Sequence, residues 1–204
     1  PLFNLLIPFH ELPVCGIYLA GSDITAFDRQ DLRCQFSMVL QAACLFGGTI
    51  RDNIRYGRLD ATDEEVVAAA KAAQAHRFIR TLPDGYNMVL NEEASNISQG
   101  QKQLLTIART ILSEPKILIL DEATSSVDTR TEIAIQRAMD ALMEGRTSFV
   151  IAHRLSTIRD ADLMLVMRDG ILVETRNQEE LLQKGGLYAE LLNNQLENLH
   201  SFHI

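Results

Sequence analysis

Asn96-Ile97-Ser98-Gln99-Gly100-Gln101-Lys102-Gln103 opens a stretch that closes on Ile117-Leu118-Ile119-Leu120-Asp121-Glu122-Ala123-Thr124-Ser125-Ser126-Val127-Asp128. Between them the apolar residues from Leu104 to Leu112 recur at helical spacing, and Ser113-Glu114-Pro115 punctuates the end. The pattern predicts helix, turn and buried strand. Ser98 and Gly100 stand at the expected helix start, where backbone N–H groups lack intrahelical partners and the dipole favours an anion. A glycine there would let a phosphate come close. The strand from Lys116 to Leu120 is almost wholly apolar, as expected of a parallel strand covered on both faces. It ends in two adjacent carboxylates, which are costly to bury without a function. Where a strand ends and the chain turns, Asp121 and Glu122 can take different tasks around one site. One can hold Mg²⁺ through water while the other orients or deprotonates an attacking water.

Composition narrows the class. The 204 residues are 47% hydrophobic and 23% charged, ordinary globular material for one domain with at most a subdomain. A formal charge of −8 argues against a broad electrostatic grip on nucleic acid, so no nucleic-acid partner is expected. No apolar run reaches the roughly 18 residues of a membrane span, and Pro1 begins no signal peptide. Membrane association is therefore expected only through a partner. Cys15, Cys34 and Cys44 are odd in number, widely spaced and without a Cys-x-x-Cys pair, which reads as reduced packing residues.

Further signals flank the central stretch. Phe36 to Leu40 is an apolar strand ending at Gln41, followed by a Gly47-Gly48-Thr49 break. Thr62-Asp63-Glu64-Glu65 is a capping box opening an Ala-rich helix that runs to about His76, read as a surface histidine near a helix C-terminus. Thr131 to Met143 forms an amphipathic helix, and Ser148 to Ala152 a strand ending in His153. Leu163 to Met167 and Ile171 to Glu174 flank an Asp169-Gly170 hairpin turn. Two short amphipathic helices follow, and the tail from Asn193 reads as disordered.

Taken in order, these phrases resemble the ATPase domain of an exporter-type ATP-binding cassette (ABC) transporter, over roughly Leu2 to Gln195. The matching phrases are the signature motif at Ser98-Gln99-Gly100-Gln101, the Walker B strand ending at Asp121-Glu122 and the D-loop closed by Asp128. With them come the Q-loop at Gln41, the switch histidine at His153 and the phrase Thr49-Ile50-Arg51-Asp52-Asn53-Ile54. The resemblance implies an α/β fold: a P-loop NTPase-like ABC ATPase core, a parallel sheet flanked by helices, with an α-helical signature subdomain. It implies ATP and Mg²⁺ as cofactors, Glu122, His153 and Gln41 as catalytic residues, and Asp121 and Gln41 at the metal. Ser98, Gln99, Gly100, Gln101 and Asp128 are implied as nucleotide-binding. The implied partners are a second ATPase domain, paired head to tail, and a transmembrane domain whose coupling helix meets Gln41–Phe46 and Glu92. Such a domain works at the cytoplasmic face of the plasma membrane.

The expected division is a partial ATPase domain over residues 1–195, with the signature subdomain at about 52–110 and a tail at 196–204. The phosphate-cradling Gly-x-x-x-x-Gly-Lys-[Ser/Thr] does not occur in the 204 residues, and Asn4-Leu5-Leu6 matches the helix that follows it in the family. The fold is thus expected to be incomplete at its N-terminus. The leading reading is a cassette coupling ATP binding and hydrolysis to export. The alternative is a hydrolysis-deficient cassette that acts as an interaction partner, supplying its signature motif in trans. Cassettes of DNA repair or translation fit less well, because neither heptads nor an internal repeat occurs.

Overall fold

The computed structural model describes residues 16–40, 43–121, 127–151 and 161–201. The chain divides into two compact units, Pro1–Ile151 and Ala152–Ile204. In the first unit, a short antiparallel pair, β1 (Tyr18–Leu19) and β2 (Ser22–Asp23), leads into helix α1 (Arg29–Gln35). Asp28 caps α1 by accepting from the Gln30 and Asp31 amides. Strand β3 (Phe36–Val39) follows directly.

A three-stranded parallel sheet forms the centre of this unit, in the order β3, β6 (Ile117–Asp121), β7 (Thr147–Ile151). Ile117 to Leu120 are all buried, as the apolar run predicts for a strand flanked on both sides and both faces. Ahead of β6, helix α5 (Gln99–Ser113) buries Leu104, Leu105, Ile107, Ala108 and Leu112. It packs on strand β3 and on helices α2 (Ile50–Arg55), α3 (Asp63–Ala72) and α6 (Thr129–Met143). Glu114 ends it in the left-handed region, φ 49°, and Pro115 cannot continue the helical hydrogen bonds. The expected capping box at α3 is present with both of its bonds, Glu65 N–H to Thr62 Oγ1 at 3.3 Å and Thr62 N–H to Glu65 Oε2 at 2.7 Å.

In the second unit, β8 (Met164–Arg168) and β9 (Ile171–Arg176) form the expected hairpin, with Asp169 and Gly170 both at positive φ. Helices α7 (Gln178–Lys184) and α8 (Leu187–Ser201) follow. The buried Glu174 carboxylate accepts the Tyr188 amide at 3.0 Å, fastening β9 to the start of α8.

The helices within 52–110 share one hydrophobic cluster with residues of β3 and β6. Backbone helix α8 continues to Ser201. Some local expectations change. The Ala-rich helix stops at Ala72 because Gln74 turns to φ 57°. His76 therefore begins a new short helix, α4 (His76–Ile79), and is half-buried with its Nδ1 2.8 Å from the Tyr86 hydroxyl. Cys34 and Cys44 are exposed and fill no core, while Cys15 lies outside the described residues.

Leu105 is fully buried where α5 meets its neighbours. Leu105→Ala is expected to cost about 2–5 kcal/mol, read by urea denaturation; a loss below about 1 kcal/mol would contradict the central place given to α5.

Candidate functional site

The parallel register brings three strand ends to one edge of the sheet. Val39 lies beside Leu120, and Asp121 beside Ile151. Adjacent strands stand about 4.8 Å apart, so whatever follows β3, β6 and β7 leaves from neighbouring points. Asp121 is half-buried at the end of β6. Gln41 follows Val39 by two positions, Glu122 follows Asp121 directly, and His153 follows Ile151 by two. Gln41, Glu122 and His153 themselves lie outside the described residues. Among the described residues no group of three or more His, Cys, Asp or Glu forms a metal cage. The donor set offered is one carboxylate at a strand end. That suits Mg²⁺, which takes one or two carboxylates and completes its shell with water and substrate phosphates.

The second part of the site is the start of α5. Ser98 caps the helix: its Oγ accepts the Gln101 amide at 3.3 Å, and Gln101 Oε1 accepts the Ser98 amide at 3.0 Å. Two helix-start amides are thereby satisfied within the chain, while Ser98 and Gln99 remain exposed. Gly100 is buried, and a Cβ there would overlap the Thr131 Cγ2 and Val127 Cγ1 methyls. Close packing on Thr131 and Val127 by itself requires a glycine at this position.

The same contact places Asp128 next to the start of α5. Asp128 caps α6, its Oδ1 accepting from Arg130 N–H at 3.1 Å and Thr131 N–H at 3.0 Å. Hydrogen bonding from Thr131 holds its carboxyl below the ordinary value of 3.8. Thr131 thus presents its amide to Asp128 and its methyl to Gly100. Ser98, Gln99, Gly100, Gln101 and Asp128 form one neighbourhood, and Asp121 stands at the sheet edge.

A third cluster escaped the sequence reading. Asn53 is fully buried, and its Nδ2 donates to Phe46 O at 3.0 Å and Thr49 O at 3.1 Å. Its Oδ1 accepts from Phe46 N–H at 3.1 Å and from Arg109 Nη2 at 3.0 Å. Arg109, on α5, also donates through Nε to Asn53 O at 2.8 Å and through Nη1 to Cys44 O at 2.9 Å. Its guanidinium lies 5.4 Å from the ring centres of both Phe46 and Tyr56. Burial depresses the Arg109 pKa, yet a guanidinium stays charged. The only sequence signal was the phrase Thr49-Ile50-Arg51-Asp52-Asn53-Ile54, and nothing near it in sequence points to Arg109. Nearby, β4 (Gly48–Thr49) pairs antiparallel with β5 (Val89–Leu90), which brings Gly47 next to the exposed Glu92. Gly47, one residue past the Gln41–Phe46 stretch expected at a membrane-domain contact, therefore lies beside Glu92, which is expected at the same contact.

Comparison with known proteins bears on the family and the fold. A family model described as ABC transporter matches residues 2–125. An uncharacterized ABC transporter ATP-binding protein of Bacillus subtilis, YfiC, is 53% identical over 194 residues, 95% of this chain and 32% of the relative. A fatty acid ABC transporter ATP-binding/permease protein of Mycobacterium tuberculosis is 54% identical over 190 residues, covering 93% of this chain and 30% of its own. The chain thus spans about a third of the length of these relatives. A solved structure of a bacterial Atm1-family ABC exporter with ATP bound superposes with a TM-score of 0.87. It is 43% identical and is matched over 95% of this chain and 34% of that one.

Two measurements check the local geometry. Gly100→Val is expected to lower stability by about 1–3 kcal/mol through overpacking, and Thr131→Ala in the same chain to recover part of it. No recovery in thermal denaturation would contradict the contact. The Asp128 carboxyl should titrate by NMR with a midpoint below 3.8. Because the folded value is the lower one, its stabilisation is present above the unfolded pKa and is lost as pH falls through the folded value. Asp128→Asn should keep the cap and remove that pH dependence.

Proposed function

The chain belongs to the ABC transporter family, and from that membership we propose that it binds ATP and couples its hydrolysis to export of a substrate across a membrane. Its fold is that of an exporter's ATP-binding domain. The observation that carries the reading is the register that ends β3, β6 and β7 at one sheet edge, with Asp121 at its centre.

In this mechanism Glu122 takes the proton of a water whose oxygen attacks the γ-phosphorus in line, as the bond to the β,γ-bridging oxygen breaks and ADP leaves. Gln41 and His153 position that water, and a neutral His153 imidazole hydrogen-bonds near the γ-phosphate. Asp121, with Gln41, would hold Mg²⁺, which would supply positive charge to the phosphate oxygens. Ser98, Gln99, Gly100, Gln101 and Asp128 face the nucleotide held by a second ATPase domain in a head-to-tail pair. The exposed start of α5 supports this assignment for Ser98 and Gln99.

A transmembrane domain is the proposed second partner, with its coupling helix against the segment after Gln41 and Glu92. Among the described residues no helix is long and apolar enough to cross a membrane. From family membership, the cytoplasmic face of the membrane, reached through that partner, is the proposed location. The 204 residues contain no phosphate-cradling Gly-x-x-x-x-Gly-Lys-[Ser/Thr]. The experiment is therefore run on the protein purified at its native length. Glu122→Gln should retain ATP binding in equilibrium titration and lose turnover by a factor on the order of 10²–10⁴. Turnover equal to wild type would overturn the assignment of Glu122 as the base.

A further inference from the structure

Arg109 belongs to α5, yet its three side-chain hydrogen bonds all leave that helix for the Cys44–Thr49 segment and its anchor Asn53. Asn53 in turn grips the segment at Phe46 and at Thr49, and its Oδ1 is shared between Phe46 N–H and Arg109. Phe46 and Tyr56 meet edge to face at 5.2 Å, and the guanidinium lies against both rings. The segment is thus hydrogen-bonded to α5 through Arg109, directly at Cys44 and by way of Asn53 at Phe46 and Thr49.

We propose that Arg109 is a positioning residue that makes the Cys44–Thr49 segment and the helix beginning at Ser98 move as one body, so that displacement of either reaches the other. The proposal deepens, and rests on, the reading of this chain as an ATP-binding domain. Gln41 precedes the segment in sequence, Ser98 starts the helix, and Arg109 joins the two by side-chain contact. A movement imposed on the segment at its exposed face would then reach the helix start through Arg109.

Simple space-filling does not account for the geometry. An apolar side chain would fill the volume but leave Cys44 O and Asn53 O without these donors, inside a partly desolvated cluster. A lysine would keep the charge, but its single ammonium on a flexible stem cannot span three acceptors and lie flat against two rings. Arg109→Lys and Arg109→Met therefore separate fixed geometry from charge and from volume.

The test uses the protein at its native length, with turnover normalised to folded protein. In both variants kcat is expected to fall about 10–100-fold while KM for ATP changes by less than about twofold, as for a loss of alignment without loss of binding. Hydrogen exchange is expected to accelerate in residues 44–49 and to stay unchanged in residues 129–143. Unchanged exchange at 44–49 would overturn the proposal, as would recovery of kcat by Arg109→Lys, or faster exchange with normal kcat. If the wild-type protein turns over no ATP, the hydrolytic reading fails on its own. The exchange comparison then still decides whether Arg109 joins segment to helix.

Discussion

The enclosure of helix α5 is the constraint on which the rest of the first unit depends. It is covered by α2, α3, α6 and β3, and its own residues set what can approach on each side. Toward α6 it presents Gly100, which leaves room only for the Thr131 and Val127 methyls. Toward the loop before α2 it presents Arg109, whose guanidinium consumes the carbonyls of Cys44 and Asn53. Its C-terminus turns through Glu114 and Pro115 into β6, and so determines where Asp121 emerges at the sheet edge.

This arrangement divides the work between apolar and polar contacts. Burial of Leu104, Leu105, Ile107 and Leu112 supplies the main driving force, since each fully buried side chain is worth about 1.5–3 kcal/mol. Such contacts are non-directional and would tolerate rotation of the helix. Direction comes from bonds with strict geometry: the Ser98–Gln101 cap, the Asp128 cap and the Arg109–Asn53 cluster. A polar group buried without its partner costs about 1–3 kcal/mol, so a helix rotated out of this register would lose several such bonds together. The candidate site is built at the ends of elements held in this way, where backbone groups and carboxylates face outward.

Local patterns were read well where one element satisfies its own chemistry. The capping box at Thr62, the helix start at Ser98, the stop at Glu114-Pro115, the buried run of β6 and the Asp169-Gly170 turn all follow from residues within a few positions of each other. The order of motifs also disclosed the family and its fold, because phosphate chemistry needs those residue types at fixed spacing. The role of Gly100 was not legible, since its neighbours Val127 and Thr131 come from a distant part of the chain. Nor was the meeting of Asn53 and Arg109, which are 56 positions apart.

The amino-acid sequence by itself determined most of the elements, several of their caps and the set of chemical groups available for the proposed ATP chemistry. Hydrogen bonding and periodicity act there over a few residues. Tertiary structure alone decided which groups meet: Val39 with Leu120, Asp121 with Ile151, Thr131 with Gly100, Arg109 with Cys44. The physical reason is that close packing and buried hydrogen bonds are satisfied between elements. Their geometry depends on how those elements fill a shared core, which spacing along the chain does not encode.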